Sequence, residues 1–305
     1  MQRLQSLGGI LGKFKEIAAE LGLIYAAAIW GATFYMVKGA ITAVNPIALV
    51  GYRFLTASFI LGAILFILKK DIFSKFKNGF VLGLLLWGLY IPQTLGLKYT
   101  TAANSGFITG TFIIYVPILM YIMYKKKPEF NRVLSIIIVI LGLWFLTGGL
   151  IELNFGDILT MISAVGYAAH LMVSDKFMKQ GLNPYIVTFQ QFLVTGILSI
   201  LTLILIDGSF SVSSTPAVWS IIFLAIFPSL TAFIIQLWAQ KSVAPLKVSI
   251  IFSLEPVFGA IFSWTLGNEK FFLLNAIGGI IIVGGMILSE LPDLKGLFKI
   301  KNRRR

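Results

Sequence analysis

The sequence predicts an all-α, polytopic membrane protein of ten transmembrane helices arranged as two inverted five-helix repeats. Three observations predict it: an apolar excess that a globular surface cannot absorb, apolar windows near twenty residues recurring along the chain, and a second half that echoes the first. Of 305 residues, 58% are hydrophobic and 12% are charged, about half the charged share of a soluble domain. Such a chain lacks the polar surface to wrap its own core and needs lipid as solvent.

Residues 1–20 come first. Ile10, Leu11, Phe14, Ile17 and Leu21 fall on one helical face and Lys13, Glu16 and Glu20 on the other, the pattern of a cytoplasmic or interfacial helix. The apolar run from Leu7 to Leu11 is short for a signal peptide, and Lys13 and Lys15 follow it; a tag remnant is the other reading. Ten spans follow at 21–38, 46–68, 79–98, 102–124, 133–150, 157–175, 184–206, 216–240, 245–266 and 271–289. At 1.5 Å per residue such windows match a hydrocarbon core of ~30 Å. Turn formers punctuate them at Asn45-Pro46, Lys125 to Pro128, Gly149 to Gly156, Asn183-Pro184 and Asp207 to Pro216. The first repeat covers 21–150, the second 151–290, and a basic cytoplasmic tail 291–305.

Charge placement sets the orientation. With the N-terminus in the cytoplasm, all but four of the 25 lysines and arginines lie on the cytoplasmic side. The exceptions are Lys38, Lys98 and Lys270 outside, and Arg53 within the membrane. The positive-inside rule therefore predicts both termini in the cytoplasm of a prokaryotic inner membrane, and accounts for the net charge of +13 without nucleic acid.

The repeat is read from residues. Ile29 to Lys38, then Asn45-Pro46 and Tyr52-Arg53-Phe54-Leu55, parallels Gly166 to Val173, then Asn183-Pro184 and Gln190-Gln191-Phe192-Leu193. Val116-Pro117 faces Glu255-Pro256 in the same register. Five spans per half is an odd number, so the second half enters the bilayer from the opposite side.

Several of these segments carry a family resemblance. Ile29-Trp30-Gly31, Tyr52-Arg53-Phe54, Tyr99-Thr100-Thr101-Ala102-Ala103, Ser253-Leu254-Glu255-Pro256-Val257-Phe258 and the paired glycines Gly278-Gly279 and Gly284-Gly285 resemble the EamA family of the drug/metabolite transporter (DMT) superfamily. The resemblance spans about residues 20–290. It implies ten helices in two inverted repeats and the export or exchange of small metabolites. Leu266-Gly267-Asn268-Glu269-Lys270 departs from the family's adjacent Gly-Glu, leaving the outer turn before the last helix open.

Polar groups at bilayer depth mark a candidate site. Glu255 lies ~15 Å along the ninth span, near the midplane. A carboxyl group there must be protonated, paired or facing water, so it serves either proton coupling and cation binding or a structural and gating role. Arg53, ~10 Å below the outer surface, would pair with Glu255, bind an anionic group or snorkel. Its repeat counterpart is the neutral Gln191. His170 shares a stripe with Ser163, Tyr167 and Ser174, and Thr188, Gln191, Thr195, Ser199 and Thr202 form another, either as helix glue or as a water path. The predicted cavity is lined by Trp30, Tyr90, Gln93, Asn104, Tyr167, His170, Gln236 and Glu255. Arg53, Gln191, Pro117 and Pro256 take gating or structural roles, the two prolines as kinks that free the carbonyls of Ile113 and Phe252. Gly106 and Gly110 read as a close helix contact.

Other chemistries lack their parts. There is no cysteine and one histidine, so neither disulfides nor a metal site are expected, and no cofactor is called for. Gly8 to Gly12-Lys13 has the wrong spacing for a phosphate loop, and no nucleophile motif appears. The expected function is secondary transport of a small molecule such as an amino acid or organic cation by alternating access, with protons as a candidate coupling ion and a homodimer left open. A sugar-phosphate or nucleotide-sugar exchanger would want more basic residues at depth than Arg53. A non-transporting membrane sensor or assembly subunit is the rival from another class.

Overall fold

The structure, a computed structural model, describes residues 2–147, 153–266 and 271–291, and the side chains within them except those of 2–13, 147, 263 and 290. The residues of the Gly149–Gly156 turn before Leu153, the outer turn from Gly267 to Lys270, the basic tail beyond Leu291 and the face assigned to Ile10 and Leu11 lie outside that description.

Among the described residues the chain is helical throughout. The first helix, α1 (Gln2–Ala40), passes without a break from the N-terminal segment into the first span. There follow α2 (Pro46–Ile67), α3 (Phe76–Tyr99), α4 (Ala102–Gly110) with α5 (Phe112–Tyr124), α6 (Phe130–Thr147), α7 (Phe155–Lys179) and α8 (Pro184–Leu205). The eighth span is α9 (Thr215–Leu224), a π-helical segment (Ala225–Thr231) and α10 (Ala232–Ala239). The ninth is α11 (Pro245–Phe252) with α12 (Glu255–Thr265), and α13 (Leu273–Glu290) is the tenth. Eight spans are long and apolar enough to cross a membrane, and the apolar stretches Phe130–Leu146 and Leu273–Ser289 are shorter. The protein is a multi-pass membrane protein.

Local chemistry sets the helix starts. The Asn45 side chain accepts from the Ile47 amide at 2.9 Å and Asn183 from that of Tyr185 at 3.0 Å. Each is followed by a proline at the first helical position, where a missing N–H costs nothing. Asn154 and Asp157 form a reciprocal capping box at the start of α7.

Packing joins spans that are distant in sequence. α2 lies against α8, α3 against α7 and α8, α1 against α10 and α12, and α7 against α4 and α5. α6 and α13 pair at the edge, where a Cβ on Gly278 would meet the Leu146 amide nitrogen at 2.2 Å and the Gly142 carbonyl at 2.6 Å. Only glycine permits that approach. A Cβ on Gly110 would crowd Leu143 at 3.1 Å, whereas one on Gly106 would meet nothing nearer than Phe34 at 3.8 Å, so of the two glycines Gly110 makes the tight contact.

Three spans are interrupted near mid-depth. The fourth breaks at Thr111, whose hydroxyl donates to the Ile108 carbonyl at 2.5 Å. Pro117, expected as a kink, lies inside α5, six residues beyond this break. The ninth breaks at Ser253-Leu254, just before Glu255 and Pro256. The eighth widens into the π turn around Pro228. Proline removes the amide that would satisfy the Leu224 carbonyl, and the Ser229 hydroxyl supplies the donor at 2.8 Å.

Candidate functional site

The interruptions in the eighth and ninth spans converge on one place. Glu255 opens α12 and is 6% exposed, so its carboxylate sits at the positive end of a half-helix dipole. It faces a cavity of ≈ 20 Å³ lined also by Trp30, Thr33, Tyr90, Gln93, Tyr167 and Phe233. That volume holds about one water, while small-molecule sites run to hundreds of Å³. A substrate would need this space to widen.

Aromatic rings build its walls. Trp30 on α1 packs against Phe233 at 5.2 Å, Phe252 at 4.9 Å and, edge-on, Tyr167 at 6.1 Å between centroids. Tyr167 stacks on Phe112 at 4.3 Å. Gly31 lets α1 come this close to the ninth span: a Cβ there would meet the Glu255 carbonyl oxygen at 2.5 Å. The Trp30 indole donates to the Pro228 carbonyl at 2.6 Å, so the π turn orients the ring. Gln93 donates to Thr109 Oγ1 at 3.0 Å.

Arg53 is the second charge at depth. It is 3% exposed, and its Nε donates to Ser229 Oγ at 2.6 Å and its Nη2 to the Tyr90 hydroxyl at 3.3 Å. Its guanidinium lies 4.7 Å from the Tyr90 ring centroid. The snorkelling alternative is therefore excluded. Arg53 is held by the π turn and by one wall of the cavity, with Glu255 across it; no hydrogen bond to the Glu255 carboxylate is formed among the described residues.

Five of the eight predicted lining residues thus meet: Trp30, Tyr90, Gln93, Tyr167 and Glu255. Asn104 does not. It stands in the first turn of α4, where its amide donates to the Thr101 cap at 3.0 Å, too close to the helix start to reach mid-depth. His170 and Gln236 lie one turn beyond the cavity, behind Phe233, whose ring centroid is 5.8 Å from that of His170. Gln191 meets them there, accepting from His170 Nε2 at 2.8 Å. Sequence reading missed Thr33, Leu89, Phe233 and the pair Pro228-Ser229. A proline inside an apolar span was the available signal for the last.

Polar side-chain bonds link spans at both ends of the bundle. At the end carrying Lys179, Lys247 bonds Glu20 at 2.6 Å between α11 and α1, and Asp175 on α7 accepts from Tyr124 on α5 at 3.0 Å while pairing with Lys179 at 2.8 Å. At the other end, Thr100 donates to Asp157 at 2.5 Å, and the Lys38 ammonium caps α3 through the carbonyls of Leu97 and Thr100. A crevice of ≈ 60 Å³ bounded by Gly31, Phe34, Gly106, Pro256, Gly259 and Trp264 runs toward that end from beside Trp30 and Glu255.

The comparisons with known proteins agree with this architecture. The model of the EamA-like transporter family matches the chain twice, over residues 17–148 and 154–291. A protein of Archaeoglobus fulgidus named as an uncharacterized transporter is 31% identical over 288 residues, covering 94% of this chain and 90% of its own. The transporter YetK of Bacillus subtilis, also named as uncharacterized, is 28% identical over 308 residues, covering 94% and 91%. A solved crystal structure superposes with a TM-score of 0.78 at 18% identity, covering 91% of this chain and 98% of its own, a likeness of fold alone.

Proposed function

The chain belongs to the EamA-like transporter family, and on that premise we propose that it is a secondary transporter of small amine-bearing metabolites, amino acids or organic cations, working by alternating access. One observation carries the reading: a carboxylate near the membrane midplane faces a closed box of Trp30, Tyr90, Tyr167 and Phe233. Aromatic faces attract cations, and more strongly when water is excluded. With Glu255 as counter-charge the box suits an ammonium group, and Gln93 adds a neutral hydrogen-bonding edge. A proton on Glu255 would replace the substrate cation, which makes exchange against protons the natural coupling.

The alternating cycle draws support from symmetry in the packing. Exchanging each span with the one five places on turns the α2–α8 and α6–α13 pairs into themselves. It also turns the contacts of the first span with the eighth and ninth into those of the sixth with the third and fourth. The same exchange carries the Glu20–Lys247 clasp onto the neighbourhood of Asp157–Thr100 at the opposite end. Two inverted repeats with a clasp at each end are the parts a rocking mechanism needs. The lysine and arginine distribution supports a cytoplasmic Lys179 end.

Counterflow into proteoliposomes tests the proposal. Vesicles loaded with an unlabelled amine or amino acid should accumulate the labelled compound, and Glu255→Gln should cut this by roughly a hundredfold, the loss of a buried charge partner, and flatten its pH dependence. Wild-type rates and pH profile in the variant would remove Glu255 from substrate binding and coupling. Binding of compounds without counterflow would favour the sensor reading.

A further inference from the structure

We infer that His170, Gln191 and Gln236 form a second, uncharged subsite, which takes an amide or hydroxyl end of the transported amine. The inference rests on the amine-transport reading above and extends it from the charged end of the substrate to its tail.

The three side chains come from α7, α8 and α10 and are fully buried. His170 Nε2 meets Gln191 Oε1 at 2.8 Å, which in this amide orientation leaves His170 Nδ1 as an acceptor. Among the described residues that atom, Gln191 Nε2 and both amide atoms of Gln236 have no hydrogen-bond partner. One turn further along α7 and α10, Ser174 donates to Gln240 at 2.8 Å and Gln240 to the Leu171 carbonyl at 2.9 Å. That pairing sets α7 and α10 in parallel register and brings Gln236 to the level of His170.

Some polar side chains that join helices elsewhere in this bundle find partners. Thr195 reaches the Gly83 carbonyl at 3.0 Å, and Gln190 reaches those of Ile72 and Ser74 at 2.8 and 2.9 Å. An unpaired amide in a low-dielectric interior costs about 1–3 kcal/mol or more. Partnerless buried polar atoms also occur singly elsewhere, on Ser163, Thr188 and Gln190 among them, but His170, Gln191 and Gln236 hold four in one layer. Its free groups include both donors and acceptors and no counter-charge, so it fits a neutral hydrogen-bonding group and neither a carboxylate nor an ammonium. Phe233 separates it from the box, with its ring 5.2 Å from Trp30 on one side and 5.8 Å from His170 on the other. A turn of that ring would open the layer to the box as one elongated site, cation end at Glu255 and neutral end at Gln236.

Two probes separate the ends: 5-aminopentanamide, and hexylamine as its apolar-tailed counterpart. Calorimetric titration into nanodiscs holding the full chain should show the amide binding at least roughly tenfold tighter than hexylamine, the value of a satisfied buried hydrogen-bonding group. The double variant His170→Phe/Gln236→Leu should erase or reverse this advantage with hexylamine binding retained or tightened, since the tail end is now apolar, and that retained binding also reports a folded box. The single variant Gln236→Met should erase most of it. Glu255→Gln should weaken both probes. An amide advantage that persists in both tail-end variants, or is absent from the wild type, overturns the subsite alone. If neither amine binds the wild type, the amine-transport reading falls and takes the subsite with it.

Discussion

The Trp30 indole donates to the Pro228 carbonyl at 2.6 Å, so a side chain of the first span is bonded to the backbone of the eighth at the point where that helix widens. Trp30→Phe keeps an aromatic wall but removes this donor and the bond between the two spans. The expected loss is about 1–3 kcal/mol of stability, read as a lower melting temperature of the purified protein. An unchanged melting curve would show the bond to be dispensable.

Ser229 makes two bonds at once, accepting from Arg53 at 2.6 Å and donating to the Leu224 carbonyl at 2.8 Å. Ser229→Ala should therefore cost more than Trp30→Phe, about 2–4 kcal/mol, because a charged donor loses its acceptor as well. In a cycle with Arg53→Met the two losses should fall short of adding, since both variants remove the same bond. Strict additivity in melting experiments would uncouple them.

The Glu20–Lys247 bond joins α1 to α11 with side chains 29% and 16% exposed. The chain has no cysteine, so Glu20→Cys/Lys247→Cys can be bridged by a short bifunctional thiol reagent without background. Bridging should halt counterflow, and reductive release should restore it. Transport that continues in the bridged protein rules this contact out as a moving gate.

Asp157 closes the capping box of α7 and accepts from Thr100 across the helix interface. Asp157→Asn retains the shape but weakens the cap and the charge-assisted bond. A loss of about 1–2 kcal/mol is expected, measured as a fall in melting temperature. Thr100→Val should produce a smaller fall, since the cap survives.

Depth and residue type made much of the site legible. Trp30, Tyr90, Tyr167 and Glu255 all fall near the middle of their spans, and polar or aromatic groups at that depth are few enough to single out. Asn104 failed the same arithmetic, because its span starts only at Ala102. His170 and Gln236 carried the right chemistry, but their level relative to Phe233 depends on how α7 and α10 register, which neither helix specifies alone. Phe233 is one of 26 phenylalanines, so nothing in composition distinguishes it from lipid-facing neighbours. The break at Thr111 and the widening at Pro228 depend on which carbonyls find substitute donors, a tertiary outcome. The pairing of α6 with α13 was foreshadowed only by glycines.

A π turn is an α-helix that has accepted one extra residue, and each α-helical residue turns the axis by ~100°. The segment from Ala225 to Thr231 therefore resets the phase of everything after it. Removing a single residue there, and letting the helix run on as a regular α-helix, would swing Phe233 away from Trp30 and carry Gln236 and Gln240 off their facing residues on α7, with no change in the identity of any of them. Insertions and deletions in this one stretch should accordingly be far more disruptive than substitutions beside it, and a chain acquiring a new cargo would do better to change side chains than to change length.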